Sequence, residues 1–356
     1  MRLELPSKPK LVFALLGSGH HLCTFAEMLV ENGFPRPVII THPREQHGRD
    51  KLLLQRENLY KNVFDTAESL DLPILDAPTV NAPEVLTFLQ THGATAAFSL
   101  SCRSIIRKEL IDFVDGRIFN IHPSMLPAER GGGTFSWRIL NDNKEVSGTL
   151  HLLDEGIDTG GVIAQRRAKL NLTRPLPRDY IAATNELYTD LLRQFLDQCE
   201  TGTVEARDQD EAGSSYLPRL YTELNGAIDW RWRDADIDRF IRAFGAPYTG
   251  AFSFVDDTRI AITEADLIPL ATRNHPFLKG RIIGFDAEGC AKVLLEEHLL
   301  LVRTISVDGK KAAPRDMLGL NKIFHTPKDV LTTARLTVPK VAQMCDVPGG
   351  SEGRDD

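Results

Sequence analysis

The chain has few cysteines, no long apolar run and no excess of positive charge, and each shortage closes off a class of protein. Its five cysteines (Cys23, Cys102, Cys199, Cys290 and Cys345) are scattered, with no C-x-x-C pair among them. Neither a structural zinc site nor a disulfide framework is expected. No apolar stretch approaches the ~20 residues that span a bilayer, so no membrane partner is expected. The opening "MRLELPSKPK" lacks the apolar core of a signal peptide, and the expected location is cytoplasmic. A formal net charge of −7 does not favour nucleic acid, because phosphate binding draws on clustered Lys and Arg. "GSG" at 17–19 lacks the third glycine of a dinucleotide fingerprint and reads as a turn.

What is present is an ordinary soluble composition, 42% hydrophobic and 26% charged over 356 residues. That length suits two compact units. Short β-branched or apolar runs at 10–16, 37–41, 70–75, 94–101 and 117–122 read as buried strands. Segments with helical spacing lie between them, at 23–33 and 81–93, and another follows at 178–200. Strands alternating with helices predict an α/β fold, a Rossmann-like, mostly parallel sheet covered on both faces. Its ligands would sit beyond the carboxyl ends of the strands, where "GSGHH" and "NIHPS" fall. The polar stretch 205–216 reads as a linker. Beyond it, one amphipathic helix and several short strands predict a smaller β-barrel. The expected division is 1–205, then 206–340, then a disordered, Gly-rich and charged tail at 341–356.

Within "RIFNIHPS", residues two apart on a strand share a side, so Asn120 and His122 project together. Pro123 turns the chain out into a loop. The later "GTLHLLDEGIDTGG" runs from a strand into a loop rich in acids and glycines, from which Asp158 can reach back to orient His122. An amide donor beside a His–Asp pair suits addition to a carbonyl, the amide serving the developing oxyanion and the imidazole moving a proton. No Ser or Cys in these segments has a nucleophile's setting, so the attacking group belongs to the substrate. His151 in "GTLHLL" reads as structural, and His20, His21 and His42 as solvated loop residues.

The pattern Asn120-x-His122 with Ser124, Leu126, Pro127 and a distant Asp158 resembles the folate-dependent formyltransferase family. The resemblance covers roughly 10–205 and extends more weakly over 206–310, where an OB-like barrel is implied. It implies 10-formyltetrahydrofolate as cosubstrate, an amine as acceptor and no metal. Asn120 and protonated His122 would stabilise the oxygen, and Asp158 would hold His122. The folate ring would lie between the loops 101–106 and 152–160, making Arg103, Ser104, Ile105, Glu155 and Ile157 the expected contacts. Ser124 and Arg130 are the expected substrate contacts.

Three kinds of acceptor compete. A tRNA acceptor asks for a basic second unit, yet 206–310 holds 13 Lys and Arg against 17 Asp and Glu. Purine-pathway relatives lack the appended unit. Members acting on amino sugars carried by nucleoside diphosphates, for surface polysaccharide assembly such as O-antigen, share "HPS" and "DEGIDTG". "THPREQHGRD" at 41–50 is similar to the loop after their second strand. The expectation is therefore a small-molecule partner, a nucleotide-linked amino sugar, with a homodimer as the assembly. Residues 311–340 fit none of these patterns. A non-catalytic binding module on the same fold is the competing reading, and the intact Asn, His and Asp argue against it.

Overall fold

A computed structural model describes residues 1–57 and 59–339, so the tail expected at 341–356 lies outside the described residues. Seven strands form the first sheet: β1 (Phe13–Gly17), β2 (Val38–Thr41), β3 (Ile74–Asp76), β4 (Ala96–Leu100), β5 (Ile118–His122), β6 (Glu145–Leu152) and β7 (Val162–Lys169). Their order across the sheet is β3-β2-β1-β4-β5-β6-β7. The first five run parallel; β6 is antiparallel to β5, and β7 to β6. The α/β, mostly parallel expectation matches this sheet.

Alternation along each strand divides the core. Phe13, Leu15, Phe98 and Phe119 pack on one face, with the helices His20–Glu31 and Pro177–Thr201. Ala14, Leu16, Ala97 and Ile118 pack on the other, with Val85 and Leu89 of the helix Pro83–Thr91. The first cluster continues without a break into Ile228, Phe244 and Leu300 of the second unit. Polar contacts reinforce that junction: Ser136 Oγ donates to Ala243 O (2.7 Å), and Arg174 pairs with Asp238 (2.6 Å).

The second unit is an antiparallel sheet ordered Ile282–Phe285, Ala291–Leu294, His298–Val307, Thr258–Pro269, Ala251–Val255, Phe324–His325. A register break around Glu264 bends its longest pairing. Its last strand returns to its first, as Phe324 N donates to Gly280 O (2.8 Å) and Ile282 N to Lys322 O (2.9 Å). The described part of the otherwise unassigned stretch 311–340 thus curls the sheet into an OB-like barrel. Its helix Lys328–Leu336 is then tied down by Asn225 Nδ2, which donates to Ala334 O and Thr337 O (both 2.9 Å).

The stretch 205–216, read as a linker, lies against the first unit as a strap. Thr203–Glu205 pairs with Arg2–Glu4, and Tyr216–Leu217 pairs in parallel with Arg130–Gly131. Trp137 Nε1 donates to Pro218 O (2.8 Å). A polar composition is what a strap needs when its partners are loop carbonyls and charged side chains. Among the described residues, no helix is long and apolar enough to cross a membrane.

The ring of Phe195 is wholly buried and meets Phe119 (4.6 Å), Phe98 (5.3 Å), Phe13 (6.0 Å) and Phe25 (6.2 Å). Phe195→Ala should cost about 3–5 kcal/mol in urea unfolding. A loss below about 1 kcal/mol would mean that this helix does not anchor the sheet as described.

Candidate active site

Asn120 and His122 stand at the carboxyl end of β5, on the same side of the strand. Because β6 runs antiparallel to β5, Asn120 lies directly opposite His151. Asp158 arrives from the loop between β6 and β7 with a left-handed backbone (φ 55°). That loop doubles back tightly: a Cβ on Gly160 would stand 1.9 Å from Leu152 O, so only glycine passes there.

The Asp158 carboxylate gathers the site. Its Oδ2 accepts from Gly131 N (2.9 Å) and faces His122 Nδ1 at 3.3 Å, while its Oδ1 lies 3.8 Å from His151 Nε2. The other nitrogen of His122, Nε2, donates to Glu129 O (2.7 Å). Both nitrogens of His122 therefore face oxygen acceptors, and only the imidazolium satisfies both at once.

His151 is arranged the opposite way. Its Nδ1 donates to Leu152 O (2.7 Å), so its Nε2 is free to accept from Asn120 Nδ2 (3.1 Å). Complete burial pushes its pKa down to about 4, despite the opposing pull of Asp158. Neutral His151 thus fixes which way the Asn120 amide points, and leaves the amide one N–H to offer a reacting oxygen. Sequence reading had set His151 aside as structural; the antiparallel register brings it into the site.

Two further residues absent from the sequence-based set complete the frame. Gln209, on the strap, donates through Nε2 to Asp158 O (2.8 Å) and Gly160 O (2.7 Å). Its Oε1 accepts from Arg130 Nη2 (2.7 Å), and Arg130 Nη1 donates to Glu211 (3.0 Å). Glu129 supplies the carbonyl that His122 uses. The expected substrate contacts are thus held by the protein itself. Arg130 is buried between Gln209 and Glu211, and Ser124, also buried, donates to Ala128 O (2.6 Å).

The expected cofactor contacts lie on the two loops foreseen. Ile105 and Ile157 are exposed (66% and 49%), an arrangement suited to covering a flat ring. Glu155 is exposed as well, and lies near enough to Lys108 to add to the upward pKa shift that the Asp112 bond chiefly causes. Arg103, by contrast, is engaged with Gln46 O (3.2 Å) and Asp50 (2.8 Å), and Ser104 Oγ accepts from Val80 N (3.4 Å). Of the histidines expected in solvated loops, His20 and His21 begin a helix, while His42 is buried and stacks on His47 (3.7 Å).

Burial also holds His21 down, at about 3, against 6.5 for the hydrated imidazole of an unfolded chain. His21 and His151 stay neutral in the fold and take a proton on unfolding. Their contribution is therefore intact above about pH 6.5 and is lost as pH falls toward 4. Urea unfolding should show about 1 kcal/mol lost for each between pH 7 and about pH 5.5. Stability that stays flat across this window would mean that these imidazoles are charged in the folded protein.

Residues 9–174 match the family described as Formyl transferase, and residues 222–318 match Formyl transferase, C-terminal domain. The chain is 25% identical over 316 residues to methionyl-tRNA formyltransferase of Ruminiclostridium cellulolyticum, covering 88% of this chain and 97% of that one. The enzyme of the same name from Citrifermentans bemidjiense is 26% identical over 300 residues, covering 84% and 90%. Among solved structures, an N-formyltransferase from Helicobacter canadensis, in complex with folinic acid and dTDP-3-aminofucose, superposes with a TM-score of 0.58 at 20% identity, covering 82% of this chain and 98% of that one. With both parts matched in order and the Asn–His–Asp arrangement assembled at the strand ends, the chain belongs to the formyltransferase family.

Proposed function

We propose that the protein transfers the formyl group of 10-formyltetrahydrofolate to the amine of a nucleotide-linked amino sugar. The observation that carries the reaction is the convergence of Asn120, His122 and Asp158, with the exposed Ile105 and Ile157 on the two flanking loops fitting a flat folate ring. The folate supplies an activated formyl carbon. The remaining Asn120 N–H donates to the formyl oxygen as it gathers charge under attack by the amine. His122 sets a positive charge beside that oxygen and carries the proton that moves between the attacking amine and the departing folate nitrogen. Asp158, 3.3 Å from His122 Nδ1, keeps the imidazole aimed.

The electrostatics of the second unit support a small acceptor over a tRNA. Its basic groups are largely matched locally: Arg231 with Asp229, Arg242 with Asp238, Arg273 with Glu296, Arg303 with Asp266 and Lys322 with Asp256. Paired charges release few counterions on meeting phosphate, and that release drives most tRNA affinity. The methionyl-tRNA enzymes among the sequence relatives make charged tRNA the acceptor to test against.

Incubating the full chain with 10-formyltetrahydrofolate and a panel of nucleotide-linked 3-amino and 4-amino sugars should give, by mass spectrometry, one product heavier by a formyl group. Initiator tRNA should bind weakly near physiological salt and lose that binding steeply as salt rises. Salt-tolerant tRNA binding with formylation of its methionine would replace the sugar by tRNA as acceptor. Asn120→Ala should lower turnover about 10²–10³-fold and leave folinic acid affinity nearly unchanged in calorimetric titration. Turnover near that of the wild type would remove Asn120 from the reaction.

A further inference from the structure

Arg138 is the largest of the fully buried side chains, 1% exposed, and no step of the proposed reaction uses it. It sits on the helix Thr134–Leu140 with each guanidinium nitrogen hydrogen-bonded. Nε and Nη2 donate to Glu129 Oε2 (3.2 and 3.0 Å), Nη1 donates to Glu145 O (2.7 Å), and Nη2 also reaches Ser147 Oγ (2.7 Å). A buried ion pair is weak evidence for stability, since apolar side chains of similar volume often serve as well or better. Its presence here asks for another account.

What the pair holds is a stretch of backbone. Glu129 is left-handed (φ 59°), a conformation uncommon outside glycine. Its N–H donates to Ser215 Oγ on the strap (2.9 Å), its carboxylate is bound to Arg138, and its carbonyl accepts from His122 Nε2 (2.7 Å). Residue 129 is thus anchored from two sides and presents a fixed acceptor on the third. We propose that the Arg138–Glu129 pair is a positioning device for His122, setting where its Nε2 proton is held between turnovers. The proposal rests on the formyl-transfer role given to His122, and both residues act through it without touching substrate.

The variants are chosen to avoid leaving a lone charge in the core. Glu129→Gln combined with Arg138→Met removes both charges together. Arg138→Lys keeps the charge but loses the two-pronged contact. Ser215→Ala removes the strap's anchor from an exposed position and spares the core should the double variant fail to fold. Imidazole nitrogens of the ¹⁵N-labelled full chain are followed by NMR, with His122→Asn identifying the His122 signals. The wild type should show a downfield, slowly exchanging Nε2 proton on His122. In the folded double variant that signal should broaden or move while those of His151 stay. In the transfer assay, kcat of the double variant should fall about 10- to 100-fold with both KM values near wild type, and Arg138→Lys should lose less than the double variant. A folded variant whose His122 signal is unmoved, or whose kcat stays within about twofold of wild type, overturns the proposal. If the wild type formylates no acceptor, the functional reading fails, and the NMR comparison alone decides whether His122 is positioned in this way.

Discussion

One carboxylate holds the catalytic end of this molecule together. Asp158 is 12% exposed at its side chain and makes contact with a backbone amide and two imidazoles drawn from three separate segments. A charge so enclosed must be met by donors or it is expelled from the fold. The chain meets it by bending Asp158 into a left-handed conformation, by placing glycine at 160, and by bringing Gln209 across from the strap to hold the carbonyls of Asp158 and Gly160. The end of β5, the turn at Gly131 and the strap each depend on where that carboxylate stands.

Around it, two histidines take opposite jobs because their surroundings differ. His151 is wholly buried, with one nitrogen spent on its neighbour's carbonyl, so it is neutral and accepts from Asn120. His122 has an acceptor at each nitrogen and is suited to carrying charge. In the proposed reaction the first orients the oxyanion donor and the second moves a proton. Neither job is visible in either residue by itself.

Much of this was legible in the sequence, for physical reasons. Period-two spacing put Asn120 and His122 on one side of a strand, and Pro123 marked where that strand must end. The alternation of apolar runs with helical spacing gave the parallel sheet. His151 was hidden because its role depends on β6 running antiparallel to β5, and no local pattern in the chain fixes that register. The strap was hidden because Gln209, Glu211 and Ser215 look solvated until their partners, Arg130, Glu129 and the Asp158 loop, are brought to them. Residues 311–340 matched no pattern because their two-residue strand, Phe324–His325, acquires meaning only by joining the two ends of a sheet.

The central claim is that the Asp158 carboxylate serves the reaction by holding His122. The most direct measurement is turnover of Asp158→Asn at saturating substrates, set beside its affinity for folinic acid by titration calorimetry. The account predicts affinity within about threefold of wild type and turnover lower by about 10²–10³-fold. Equal losses in both would show that the Asp158 carboxylate itself acts in folate binding, and retained turnover would contradict the account outright.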